Sequence, residues 1–264
     1  METGTVDKPR FVETSVSQLM GARIMKTHLL AGISVFSGPW GIGKSTTIEQ
    51  FADAVGTECL VIKVEPKARG VNPAAILNQI ADAFAKRYRW EHLLTHTTDQ
   101  TRLRRLMVEM MDRAFHRTFE ERRFTIIFDE AQYLSRMSIE MLRYWNDRDR
   151  TVMPFPIGLV FVGNNEFALA EGVSGGSVLS GAVRSRLLYE VPLDYALLDD
   201  RDIEEFAKSR GLDDPDGLRA FVRYFGQSRV KRDLRQADRL LSECHERAAG
   251  RAIGADIVNH ILNL

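Results

Sequence analysis

Cysteine is nearly absent from this chain: Cys59 and Cys244 are the only two among 264 residues. Two thiols this far apart in sequence exclude a disulfide framework and a cysteine-based zinc site. Net charge is absent too, with Lys and Arg totalling 36 and Asp and Glu totalling 36. That balance excludes a protein that holds nucleic acid by bulk charge alone, while leaving room for a local basic face. No run approaches the roughly 18 apolar residues of a membrane span. The opening METGTVDKPRF lacks the apolar segment of a signal peptide. The six histidines show no metal-ligand spacing; His92 and His96 sit four apart with no cysteine or carboxylate pair beside them and read as surface residues. What remains, at 44% hydrophobic and 27% charged residues, is an ordinary globular composition. The expectation is a cytoplasmic protein with reduced, buried thiols and no membrane partner.

The pattern of apolar residues alternates between two periods. Thr14 to Leu30 carries apolar residues at helical spacing. Short apolar runs at Ile33–Phe36, Leu60–Val64, Phe124–Phe128 and Ile157–Val162 read as strands, with a fifth at Leu187–Val191. Helical stretches lie between them. One is expected to open with Asn72 as cap and Pro73 at the first helical position, ending near Arg87. Others cover Asp99–Phe119, with Leu103, Leu106, Met107, Met110, Met111 and Phe115 on one side, and Met137–Trp145. The methionine stripe reads as core, with a partner surface as the other possibility. After Leu193 strand signals stop, and Asp199 to Leu264 reads as three or four helices broken near Gly211, Gly226 and Gly250–Gly254. Alternation predicts an α/β fold with a parallel sheet. The division expected is an N-terminal arm and helix (1–30), a core (31–192) and an all-helical lid (193–264).

Gly38 to Ser45 spells G-x-x-x-x-G-K-S between a predicted strand and a predicted helix. Glycines let backbone N–H groups turn inward around phosphate oxygens, and the helix N-terminus favours anions. Gly38, Pro39, Trp40, Gly41, Ile42, Gly43, Lys44, Ser45 and Thr46 are therefore the candidate nucleotide-binding segment, Lys44 reaching the outer phosphates and Ser45 binding Mg²⁺. Trp40 and Ile42 are bulky for such a loop; they restrict its entrance or pack on the lid. The strand Phe124–Phe128 delivers Asp129 and Glu130 at its carboxyl end, where open parallel sheets bind ligands. Asp129 suits Mg²⁺, and Glu130 suits orienting and polarising an attacking water. The next strand ends at Gly163-Asn164-Asn165, where Asn164 either positions water or makes a turn. Arg184 and Arg186 precede the fifth strand; such an arginine stabilises phosphoryl-transfer charge in a neighbouring subunit or simply ends a solvated helix. In the tail, Gly226-Gln227-Ser228-Arg229 leads into Val230-Lys231-Arg232-Asp233-Leu234-Arg235, from which one arginine would point back to the phosphates.

Gly38–Ser45, Phe124–Glu130 with Ala131-Gln132, Val162-Gly163-Asn164, Arg184–Arg186 and the helical tail together resemble AAA+ P-loop NTPases over nearly the whole chain. The DEAQ form, the compact size and the opening Phe11-Val12-Glu13-Thr14 are similar to the transposition-regulator branch: phage Mu transposition protein B, TniB and TnsC. The short stretch before residue 33 favours the shorter type, without an extra N-terminal DNA-binding domain. The resemblance implies ATP and Mg²⁺ as cofactors, with Lys44 and Ser45 on phosphates and metal, Asp129 on the metal, and Glu130 as base. It implies Asn164 as first sensor, Arg186 as trans-acting finger with Arg184 as alternate, and Arg229 or Arg232 as lid sensor. It implies a bacterial or phage-encoded ATPase that forms a homo-oligomeric filament or ring on duplex DNA, without sequence preference, and regulates a transposase. A second reading is an ExeA-like or helicase-loader switch acting on a protein partner.

Zero net charge hides local clusters. Residues 219–239 hold seven cations against two anions, and residues 102–123 seven against four. The loop after the second strand adds Lys63, Lys67 and Arg69, of which the resemblance favours Lys67 and Arg69 as DNA contacts. Solvated helix faces and subunit salt bridges are the alternative for each cluster.

Overall fold

A computed structural model describes residues 11–66, 70–94, 97–114, 123–146, 157–169 and 179–262. Along the chain these form α1 (Ser15–Leu30), β1 (Ile33–Ser37), α2 (Lys44–Val55), β2 (Cys59–Lys63), α3 (Pro73–Tyr88) and α4 (Gln100–Ala114). Then follow β3 (Thr125–Asp129), α5 (Arg136–Asn146), β4 (Gly158–Gly163), α6 (Asn165–Leu169), α7 (Gly181–Arg184) and β5 (Leu187–Pro192). Four helices end it: α8 (Asp200–Ser209), α9 (Pro215–Phe225), α10 (Leu234–Ala248) and α11 (Ala255–Leu262). All five expected strands form, within a residue or so of the expected bounds. The helix expected over Asp99–Phe119 is described as far as Ala114; Phe115 lies outside the described residues.

The chain divides into two compact units, one of Met20–Gly38 with Thr47–Pro192, the other of Met1–Leu19, Pro39–Thr46 and Leu193–Leu264.

The first unit holds a five-stranded sheet in the order β2-β3-β4-β1-β5, every pairing parallel. The four strands β1 to β4 are buried almost throughout, as a sheet covered on both faces requires. Their residues sort by the strand's period of two. Leu60, Ile62, Ile126, Phe128, Leu159, Phe161, Ile33 and Val35 join one core with the buried faces of α3, α4 and α5, including Phe84, Leu142 and Trp145. Met107, Met110 and Met111 are in that core, fully buried, so packing accounts for the stripe. Between these positions, polar residues on the other face find partners: Thr27 Oγ1 meets Ser34 Oγ at 2.6 Å, and His28 Nδ1 meets Thr125 Oγ1 at 3.0 Å. His28 Nε2 lies 3.3 Å from the Glu58 carboxylate, yet burial holds the imidazole below its ordinary range against that pull. Asn72 caps α3 as its sequence predicts, accepting from Ala75 N–H with Pro73 in the first turn.

The second unit is built on α8–α11. Helices α9 and α10 each pack on α8 and on α11, which sets α9 and α10 diagonally apart. Asp199, Asp214 and Asp233 cap α8, α9 and α10, and the expected breaks at Gly211, Gly226 and Gly250–Gly254 fall between helices. Asp202 is buried but satisfied: it accepts from Asp199 N–H at 3.0 Å and from Ser15 N–H at 2.9 Å, pinning the first turn of α1.

Candidate functional site

In the sheet unit, three chain segments leave the same carboxyl edge. Parallel pairing in register sets Ser37 beside Gly163 and Phe128 beside Phe161. The residues that follow, Gly38, Asp129 and Asn164, therefore emerge together, with β4 lying between β3 and β1. Gly38 N–H donates to Gly163 C=O at 3.2 Å across this edge. Asp129 is 93% shielded from solvent and accepts from Glu130 N–H at 3.0 Å. Glu130 takes a left-handed backbone, φ 57° and ψ 38°, uncommon for a residue with a side chain. Its carboxylate accepts from Gln132 Nε2 at 2.5 Å. Asn164 does double duty: Oδ1 accepts from Phe167 N–H at 3.2 Å, and Nδ2 donates to Glu166 at 3.3 Å. It thus makes the turn that starts α6, at the edge where a sensor would stand.

In the helical unit, the phosphate loop is shaped by Gly41 and Gly43, at φ 69° and φ 94°. Lys44 opens α2, and its Nζ donates to Pro39 C=O at 2.7 Å. Two groups from the helical tail fasten the loop: Leu234 N–H donates to Gly41 C=O at 2.9 Å, and Tyr195 Oη donates to Trp40 C=O at 2.7 Å. Burial first, and the Asp233 carboxylate next, push the Tyr195 phenol up, so it stays a donor. Ile42 is fully buried and Trp40 is 66% exposed, so the two bulky loop residues part company: one packs, the other presents an indole to solvent.

The three arginines between α9 and the first turn of α10 differ in what holds them. Arg232 donates to Leu198 C=O and to Asp200, stapling the α9–α10 connection to the start of α8. Arg229 is exposed and donates to Gln227 Oε1 at 3.0 Å. Arg235, the last arginine of the segment expected to point one back to the phosphates, is exposed in the first turn of α10, and its charge acts on Tyr195, the residue bonded to Trp40. Asp233 caps the same helix, and its carboxylate lies against Gly41. Arg184 forks to both oxygens of Glu190, at 3.1 and 3.2 Å, while Arg186 Nη1 donates to Ala182 C=O at 3.3 Å.

Lys67 and Arg69 lie outside the described residues. The basic segment 219–239 is not one face. Arg219 and Arg223 are exposed on α9, and Arg235 and Arg239 are exposed on α10, the diagonal helix. Arg219 pairs with Asp216, and Arg239 faces Glu243 at 4.0 Å, solvated pairs of little energetic weight. Among the described residues no group of three or more His, Cys, Asp or Glu forms a metal cluster, and no helix is long and apolar enough to cross a membrane.

A family model described as AAA domain matches residues 28–169. No curated protein matches the sequence. Among solved structures, Cdc6p from Pyrobaculum aerophilum is 17% identical, with a TM-score of 0.67 over 98% of this chain and 69% of that one. The Drosophila ORC bound to DNA is 15% identical, with a TM-score of 0.57 over 97% of this chain and 62% of that one. The Thermotoga maritima RuvB Holliday junction branch migration motor is 16% identical, with a TM-score of 0.53 over 96% of this chain and 70% of that one. At such identities these likenesses speak to fold. The family match runs over more than half of the sequence and takes in the phosphate loop, Asp129, Glu130 and Asn164, and the chain belongs to the AAA domain family, with the α/β core of an AAA+ P-loop NTPase.

Proposed function

We propose that this protein is an ATPase that assembles on duplex DNA in its ATP state and regulates a transposase. The observation that supports this reading best is the matched family segment itself. Within it, a strand-to-helix glycine loop ends in Lys44-Ser45, and the end of another strand, β3, carries Asp129-Glu130. Lys44 and Ser45 suit the outer phosphates and Mg²⁺, and Asp129 suits the metal's coordination shell. The donor set is hard oxygen and ammonium, the chemistry that Mg·ATP takes. The bound metal would neutralise developing phosphate charge, and the chain's own task is to hold phosphates, orient water and accept its proton at Glu130. Residues 31–192 serve as the catalytic core and 193–264 as the lid, with 1–30 as its N-terminal arm.

Arg186 is assigned the trans-acting role, with Arg184 as alternate. For the lid cation we assign Arg235. Arg232 serves the lid's own fold through Leu198 and Asp200. Arg232→Ala is expected to cost about 1–2 kcal/mol of stability, most of it from the carbonyl bond, since Asp200 is largely in water. Arg235→Ala is expected to leave the melting temperature near the parent's while weakening ATP binding. Thermal melts with and without ATP separate the two; an Arg235→Ala chain with parental ATP affinity removes Arg235 from the site.

DNA as partner is supported by two structural neighbours, the ORC bound to DNA and the RuvB Holliday junction branch migration motor. A neutral protomer would hold DNA weakly, so useful affinity would come from many protomers stacked along one duplex. With a slowly hydrolysed ATP analogue and duplex DNA at low salt, electron microscopy is expected to show filaments or stacked rings. Absence of DNA-dependent assembly would overturn the transposition reading and turn attention to a protein partner.

A further inference from the structure

The fourth residue of the DEAQ sequence, Gln132, has a chemical task that the ATPase reading leaves unassigned. Its amide is bonded at both ends. Asn164 N–H, which can only donate, approaches Gln132 Oε1 at 3.2 Å, and this fixes which way the amide points. Nε2 is thereby aimed at Glu130, whose carboxylate it meets at 2.5 Å. The bond from Asn164 comes from the Gly163–Asn164 peptide, and the same planar unit accepts Gly38 N–H on its carbonyl at 3.2 Å. Gly38 is the first residue of the phosphate loop. A continuous hydrogen-bonded path therefore runs from the root of that loop, through one rigid peptide and one amide, to the Glu130 carboxylate. Glu130 itself sits on a left-handed backbone, an uncommon conformation for a residue with a side chain, and the bond from Gln132 reaches its carboxylate from two residues along the chain.

We infer that Gln132 is a positioning residue: it aims the Glu130 carboxylate and ties that aim to the placement of the phosphate loop's root. The inference rests on the reading of Glu130 as base. Gly163 belongs to the device, because a Cβ there would stand 2.8 Å from Phe167 Cβ and 3.1 Å from Gln132 Oε1. A side chain at 163 would push on the very oxygen that reads the peptide.

The test uses Gln132→Glu, which keeps an acceptor for Asn164 N–H and turns the donor facing Glu130 into a second carboxylate. Steady-state ATP turnover is expected to fall between about tenfold and a hundredfold, the scale of a misplaced catalytic group. The dissociation constant for a fluorescent ATP analogue should stay within about threefold of the parent, because no phosphate contact is touched. Gln132→Met, neutral and similar in length, should show the same split, and it stands in if the carboxylate pair prevents folding. Adding Gln132→Glu to Glu130→Gln should slow turnover no further. The inference is overturned if Glu130→Gln is inactive while both Gln132 variants turn over within about twofold of the parent. It is equally overturned if turnover and nucleotide affinity fall together, the mark of a merely structural role. A Glu130→Gln variant as fast as the parent is a separate outcome: it removes the base assignment itself.

Discussion

Replacing Glu130 by Gln is expected to lower ATP turnover by a factor of about 10² to 10⁴, the usual contribution of a positioned general base, and to hold the protein in its assembled state. The substitution is nearly isosteric. A glutamine at 130 can turn its oxygen to Gln132 Nε2, keeping the bond that now orients the carboxylate. It also leaves Lys44, Ser45 and Asp129 untouched, so nucleotide and metal should still bind. What it loses is the capacity to accept a proton from the attacking water. If ATP binding drives assembly and hydrolysis permits release, the variant should bind ATP, assemble on DNA and stay there. Phosphate release measured at saturating ATP reads the first effect, and filament lifetime after dilution into ADP reads the second. A variant that hydrolyses ATP and comes apart as fast as the parent would show that another group takes the proton.

The parts of this molecule that were legible in the sequence are those where backbone geometry demands a particular residue. Gly41 and Gly43 announce the phosphate loop because their positive φ angles suit residues without a side chain. Asn72-Pro73 announces α3 because an amide cap and a preset φ belong at a helix start. The buried strands showed as apolar runs of five or six residues, long enough to tell from turns. Sheet order was not legible: which strand inserts between β1 and β3 is decided by crossovers, and the local pattern of β4 carries no trace of it. Charge read along the chain does not define a face in space, for the same reason. The basic run from Arg219 to Arg239 is continuous in sequence and split between diagonal helices in space. Gln132 and Arg235 were visible as residues but not as roles, because what they do lies in tertiary surroundings: the peptide before α6 for one, the charge effect on Tyr195 for the other. Asn164 was seen as either a turn or a sensor. In the structure Asn164 makes the turn, its Oδ1 accepting from Phe167 N–H.

Gly41→Ala is expected to damage the phosphate loop twice over, and the two injuries can be told apart. The first is conformational: φ 69° is left-handed, and a side chain there costs about 1–2 kcal/mol. The second is steric: a Cβ at 41 would stand 1.7 Å from Asp233 Oδ1, far inside contact distance. That oxygen is not idle, since it accepts from Arg235 N–H at 2.9 Å and Gln236 N–H at 3.3 Å as the cap of α10. To admit the methyl group the cap must move, at about 1 kcal/mol. The Leu234 N–H bond to Gly41 C=O should go with it, at about 1 kcal/mol more. A total near 3–4 kcal/mol is a large share of a domain's stability, and ATP affinity should fall with it because the loop no longer holds its N–H groups inward. Asp233→Ala alone loses the cap and leaves the loop's glycine in place. In the double variant the clash is gone while the backbone cost remains. The pair should therefore be less damaging than the sum of the singles, with a coupling of about 1–3 kcal/mol. Melting temperature and ATP affinity across the four proteins give the cycle. Strict additivity would mean that Gly41 matters only for its φ, and that the lid's cap does not press on the phosphate loop.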